Sequence, residues 1–455
     1  MAGIGFEIRK ILKDETIFSI VKAFSYAGIV SSGPWIISML SILIAGYVAN
    51  FFFDNQQMVV DFTIMITYVI AFSLILTSYS QLSFTRFVSD MLFAKKRHKV
   101  LPNALGVMVV NIVIGMVFIL PWTLSIYYET HSLFIASTFE LTFIVLCSIW
   151  IVNIVLTGVK NYKYVIFSFF IAYLLIILLI FWFDKGDLES YLLSFLIGQT
   201  VLLLLLMVLM FKEFQSDHWI AFDFFKKVYK DLVWIGLFLN GSIWIDKFIF
   251  WLNPFTNSEG IGLLKYSPIY DYPIFLAYLS IAPAMAVFLL RIETDFAIFY
   301  DKYFSAAREG GTLKELYLYA NEMIDSARVG LIEILRIQTL IGFLIVLFAE
   351  AIFEVFTIPT VYIPLFIVDL IGTTLQVFFM SIVTILFYLD KRREILALVI
   401  LLFFLNFCLT LYSQYLGPYY YGYGAALAYF IVSLFGLLLL NQSFKRFHYE
   451  TFMLI

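Results

Sequence analysis

The chain has 455 residues, 63% of them hydrophobic and 13% charged, with a formal net charge of -3. Soluble domains are about 45–50% apolar and about 25% charged, so this balance excludes a water-soluble globular protein and gives no ground for a nucleic-acid partner. The two cysteines, Cys147 and Cys408, sit in apolar runs and read as small core residues without a disulfide framework, and the four histidines are too scattered for a metal site.

The chain opens on MAGIGFEIRKILKDE, which has no short apolar core followed by a cleavage site, so no signal peptide is expected. Phe6, Ile8, Ile11, Leu12 and Ile17 alternate with charges there and predict an amphipathic helix on the inner leaflet. A helix needs about 20 apolar residues to cross the hydrocarbon core. Such windows predict twelve spans, at 24–50, 59–83, 103–126, 134–157, 163–183, 190–212, 231–252, 270–290, 332–355, 362–388, 395–416 and 424–443.

Basic residues mark cytoplasmic loops. With the N-terminus inside, all but three of the 29 Lys and Arg residues fall on the cytoplasmic side. The exceptions are Lys185 and Lys265 in outside loops and Lys247 inside a span. Both termini are therefore expected in the cytoplasm. The longest polar segment, about 291–331, carries Gly310-Gly311 and then Thr312-Leu313-Lys314-Glu315, a capping-box pattern. It predicts two cytoplasmic helices with a break, as continuations of the eighth and ninth spans or as a docking surface.

The first span reads KAFSYAGIVSSGPW from Lys22 and the seventh KDLVWIGLFLNGSIW from Lys230. At an offset of 208, Gly28 meets Gly236, Ser32 meets Asn240 and Gly33 meets Gly241. The second span ends RFVSD, Arg86 to Asp90, and the eighth RIETD, Arg291 to Asp295, at an offset of 205. Two ordered matches in nearly one register predict a parallel repeat, with six-helix lobes at 1–215 and 216–455. Repeats of this kind characterise transporters, whose sites lie at the repeat interface. Gly33-Pro34 and Asn240-Gly241 predict bends at equivalent depths in the first and seventh spans.

The seventh span also holds Asp246 and Lys247 side by side. A charge in a span costs roughly 2.5–3.5 kcal/mol on insertion scales. Neighbouring helical residues point about 100° apart, so the two are not expected to face one another. Lys247 is expected to pair with Asp271 at the start of the eighth span, leaving Asp246 for another polar group or a substrate. The two roles open to these charges are an ion network pinning the spans and a hydrated cavity that contacts a substrate. Arg86–Asp90 and Arg291–Asp295 are i, i+4 pairs at span ends, read as local salt bridges or as a charged cytoplasmic mouth. Tyr26, Trp35, Trp244 and Tyr272, near these polar positions, are candidates to stack on a substrate. The candidate substrate-path and gate residues are Ser31, Ser32, Gly33, Pro34, Arg86, Asn240, Asp246, Lys247, Asp271, Tyr272 and Arg291. Asn111, Asn153, Asp369, Gln376 and Asn406 are further polar span residues, read as making inter-helix hydrogen bonds.

MAGIGFEIRK, YAGIVSSGPW, SQLSFTRFVSD, WIDKFIFW and YDYPIFLAYLS with RIET together resemble the PelG family. That family belongs to the polysaccharide-transporter branch of the multidrug/oligosaccharidyl-lipid/polysaccharide (MOP) flippase superfamily. The resemblance implies an all-α membrane protein of two six-helix lobes around a central cavity. It implies a bacterial inner-membrane exporter of Pel, an amino-sugar-rich exopolysaccharide of biofilms. Its implied partners are a PelF-like cytoplasmic glycosyltransferase and PelD- and PelE-like membrane proteins, with membrane lipid around it. No cofactor is expected, and no coupling ion is identified. The competing readings are a small-molecule antiporter of the same superfamily and a scaffold for a glycosyltransferase. An enzyme is not expected: Asp54 and Asp61 in a short outside loop have no histidine or metal set beside them.

Overall fold

The computed structural model describes residues 19, 22, 24, 26–28, 56–157, 162–183, 187–356 and 358–453. The described residues are overwhelmingly helical, and eleven helices among them are long and apolar enough to cross a membrane. They match the second to twelfth predicted spans. The expected amphipathic helix and most of the first span, with Ser31, Ser32, Gly33, Pro34 and Trp35, lie outside the described residues.

By packing, the chain falls into two compact units, 34–268 and 1–33 with 269–455. In the first are α1 (Gln56–Phe93), α2 (Val100–Thr130), α3 (Leu133–Thr157), α4 (Tyr162–Phe183), α5 (Leu188–Glu213) and α6 (Lys230–Leu252), followed by a two-stranded hairpin, β1 (Ser258–Glu259) and β2 (Lys265–Tyr266). In the second are α7 (Pro268–Leu279), α8 (Ala282–Leu290), a π-turn (Arg291–Phe296), α9 (Ala297–Glu309), α10 (Leu313–Leu347), α11 (Ile363–Tyr388), α12 (Arg392–Leu416) and α13 (Tyr423–Met453). Sequence repeat and packing divide the chain at different places, since α6 packs along α1.

That packing has a local cause. Small hydroxyl residues are buried along α1, with Ser78 and Ser83 toward α6 and its start and Ser73 toward Trp150 of α3. Ser73, Thr77, Ser78, Ser80 and Ser83 are fully buried. The first four return their hydroxyl hydrogens to carbonyls three or four residues back, at 2.6–3.0 Å. With their polarity absorbed by their own helix, they behave as short residues that let backbones approach. Gly236 exploits this: a Cβ there would sit 2.3 Å from the Ser78 carbonyl oxygen. Its repeat partner Gly28 lies in the second unit, where a Cβ would meet Ala286 Cβ of α8 at 3.6 Å. The two matched glycines thus face the helix that ends RFVSD and the one that leads into RIETD, which gives the repeat a structural counterpart.

The helix α9 ends at Gly310, which is left-handed at φ +80°, and α10 starts at the Thr312–Glu315 capping box. Segment 291–331 therefore extends the eighth and ninth spans as helix. Cys147 is buried as expected, but Cys408 is exposed. It lies on the outward face of an apolar span, where lipid would cover it. Large apolar residues are exposed along many spans, for example Val117 at 73% and Trp182 at 84%, as a bilayer-facing surface requires.

Candidate functional site

The charged pair lies in the first unit, three-quarters of the way along α6. Asp246 and Lys247 are both buried. Contrary to the angular expectation, they pair with each other: Lys247 Nζ donates to Asp246 Oδ2 at 2.9 Å and Oδ1 at 3.2 Å. The same ammonium donates to the Ile243 carbonyl at 2.8 Å. The 100° step separates the Cβ atoms, but the four-carbon lysine stem curls back across it. These bonds engage the donors of a lysine, which has three. Asp271, the partner expected for Lys247, begins a helix in the second unit, in the first turn of α7.

Aromatic residues between α6 and α1 form one wall. Tyr68 stacks on Trp251 at 4.7 Å. Phe72 meets Trp122 at 4.7 Å and Phe248 at 5.9 Å. Trp244, Phe248 and Trp251 follow at helical spacing along α6, with Trp244 and Trp251 at 6.3 Å. The hairpin closes over this end. Tyr68 donates to the Lys265 carbonyl at 2.8 Å, and Gly262 N donates to Glu129 at 2.6 Å.

No break occurs at Asn240-Gly241: α6 is helical without interruption through both residues. Neither residue removes a backbone donor, and the Asn240 amide itself bonds to the Gly236 carbonyl at 3.2 Å. It also reaches Gln81 at 3.5 Å. The break occurs instead in the eighth span, between α7 and α8 at Ser280-Ile281. Pro283 explains it, since a proline cannot donate to the carbonyl of Leu279 four residues back. Ser280 donates to the Ala277 carbonyl at 2.6 Å and accepts from Gln338 of α10 at 3.1 Å. Tyr272 is 40% exposed on α7. Tyr278, on the same helix, donates to Gln376 at 3.1 Å, the inter-helix bond expected of that glutamine. Asn111 donates within its own helix, to the Val107 carbonyl at 2.9 Å, and Asn406 accepts from Thr410 at 2.9 Å.

Both span-end pairs form, and each recruits a third partner that the sequence did not disclose. Arg86 Nε meets Asp90 at 3.2 Å, and the other oxygen of Asp90 accepts from the Tyr229 hydroxyl at 2.7 Å. That bond ties the end of α1 to the start of α6 and raises the Tyr229 phenol pKa. Arg291 meets Asp295 at 2.8 Å and holds both oxygens of Glu333 on α10, at 2.5 and 3.0 Å. In the nearby connecting segment, Lys226 and then Lys99 hold the Asp223 carboxyl below the ordinary carboxylate range. No cluster able to hold a metal ion occurs among the described residues.

A model of the family PelG, described as "Putative exopolysaccharide Exporter (EPS-E)", matches residues 1–452. Comparison with curated protein sequences gives no match. Solved structures share the fold. An outward-facing multidrug-resistance MATE family transporter of the MOP superfamily is similar at TM-score 0.63 and 13% identity, over 93% of this chain and 96% of its own. An inward-facing MATE transporter is similar at TM-score 0.60 and 13% identity, over 92% and 98%. A MOP-superfamily transporter of Pyrococcus furiosus is similar at TM-score 0.61 and 13% identity, over 93% and 96%.

Proposed function

We propose that this chain, which belongs to the PelG family and has the helical membrane-transporter fold of the MOP superfamily, exports the amino-sugar exopolysaccharide Pel across the bacterial cytoplasmic membrane for a biofilm matrix. Family and fold point to a transporter rather than an enzyme. The observation that carries the reading furthest is the buried Asp246–Lys247 pair on a helix that also bears an aromatic wall. An intramembrane ion pair is expensive and is a functional candidate by default. A polymer of amino sugars presents hydroxyls, amides and ammonium groups along its edges and C–H surfaces on its faces. A carboxylate, an ammonium and indole rings on one helix match that mixture. Arg86, Asn240, Asp271, Tyr272 and Arg291 are proposed to line the same route, and Ser31, Ser32, Gly33 and Pro34 to act in its first-span gate. The termini are cytoplasmic in this reading. Cargo arrives from a PelF-like glycosyltransferase, with PelD- and PelE-like membrane partners.

The test is Asp246→Asn in the native host, with secreted amino-sugar polysaccharide and folded membrane protein measured together. Export lost beyond any drop in folded protein is the expected result. Loss of both in proportion assigns Asp246 to the framework alone, and normal export with normal protein removes it from the route. Efflux of cationic dyes, measured in the same cells, distinguishes a small-molecule antiporter.

A further inference from the structure

A second buried charge lies away from the Asp246–Lys247 pair. Glu293 is 3% exposed, on the π-turn that joins α8 to α9. Its Oε2 accepts the Tyr388 hydroxyl of α11 at 2.8 Å, while its Oε1 is buried with no hydrogen-bond partner. The chain's terminal amino group acts on it electrostatically. The Arg291 guanidinium is taken by Asp295 and Glu333. On α10, Arg336, one turn beyond Glu333, is exposed. On α9, Asp301 acts on Tyr388, and the Tyr300 ring lies 5.5 Å from that of Tyr388. The helix α8 has no titratable residue. Among the described residues, no basic side chain bonds to Glu293.

The repeat supplies an internal control. At the 205 offset, Glu293 matches Val88, which is also 3% exposed. The first copy fills this buried position with a valine on a regular α-helix. The fold therefore does not demand a carboxylate here, and packing does not explain one. A buried carboxylate with an unsatisfied oxygen and no basic side chain bonded to it among the described residues is costly, whereas a carboxylic acid is not. The π-turn is the second unusual feature, since such turns are rare and concentrate at functional sites. Thr294 donates to the Leu289 carbonyl at 3.0 Å, five residues back, and so holds the widened turn. Returning the turn to α-helix would rotate Glu293 away from Tyr388.

We propose that Glu293, capped by Tyr388, is a proton-binding site that the π-turn closes and opens. A proton bound at Oε1 gives the neutral acid, and release of that proton accompanies exposure of the turn. Its use in transport rests on the exporter reading, but the proton site itself does not.

The test is infrared difference spectroscopy on the purified full-length protein against Glu293→Gln, at neutral pH in H2O and D2O. The expected difference is a carbonyl stretch of a protonated carboxylic acid that shifts downward in D2O, is lost in the variant, and moves in Tyr388→Phe. Carboxylate bands alone in that difference spectrum overturn the proposal. Should Glu293→Gln fail to fold, Glu293→Val, the residue of the matched position, supplies the same subtraction. Normal export in Asp246→Asn with this band present would remove Asp246 from the route and leave the proton site standing.

Discussion

Lys247 and Asp246 pair within one helix. The Lys247 side chain is 8% exposed and that of Asp246 3%, so neither reaches much water. Removing one partner of such a pair strands the other. Lys247→Met is therefore expected to lose about 3–5 kcal/mol, whereas the double replacement Asp246→Asn/Lys247→Met recovers most of it. Thermal unfolding in detergent, run as a double-mutant cycle, measures this; equal losses in the single and the double variant would contradict the coupling of the two. The presence of charges in this span was legible in the sequence, because charged letters stand out in an apolar run. Their partnership was not. The choice between a neighbour and a distant helix depends on lysine rotamers, which no residue spacing encodes. Tyr229 and Glu333 were hidden for a related reason: they lie far along the chain from the arginine–aspartate pairs they join.

At the scale of elements, the helices follow from apolar length and their junctions from a few residues. The spans from 59 onward were legible because the bilayer fixes their length. The interruption was misplaced because Asn240-Gly241 looks like a breaker, yet both residues keep their backbone donors, while Pro283 loses its own. Glycine 236 serves contact instead of bending. Gly236→Ala places a Cβ 2.3 Å from a backbone oxygen of α1, and the overpacking should cost about 1–3 kcal/mol. Gly28→Ala, with its nearest atom at 3.6 Å, should be nearly neutral. Folded yield and melting temperature of the two variants check the contrast. Equal effects would show that the close approach of α6 to α1 does not limit stability.

For the whole molecule, the charge asymmetry predicts which loops meet which compartment. With Cys147 and Cys408 replaced by alanine, a single cysteine at Glu259, in the exposed hairpin, should react with an impermeant thiol reagent in intact cells. One at His98 should react only after the membrane is opened. Both positions are exposed in the fold, so the pattern reports sidedness, and labelling of position 98 in sealed cells would invert the orientation. The repeat was legible at this scale from matched glycines and arginine–aspartate pairs. Its two copies, however, are chemically unequal. Asp246, Lys247 and Glu293 all belong to the second copy, and at the repeat offsets the first has Ser38, Met39 and Val88. A duplicated segment gives a lineage two versions of one wall. Here one version carries no ionisable group at these three positions while the other carries all three, so scaffold and chemistry are shared out between two halves of a single chain.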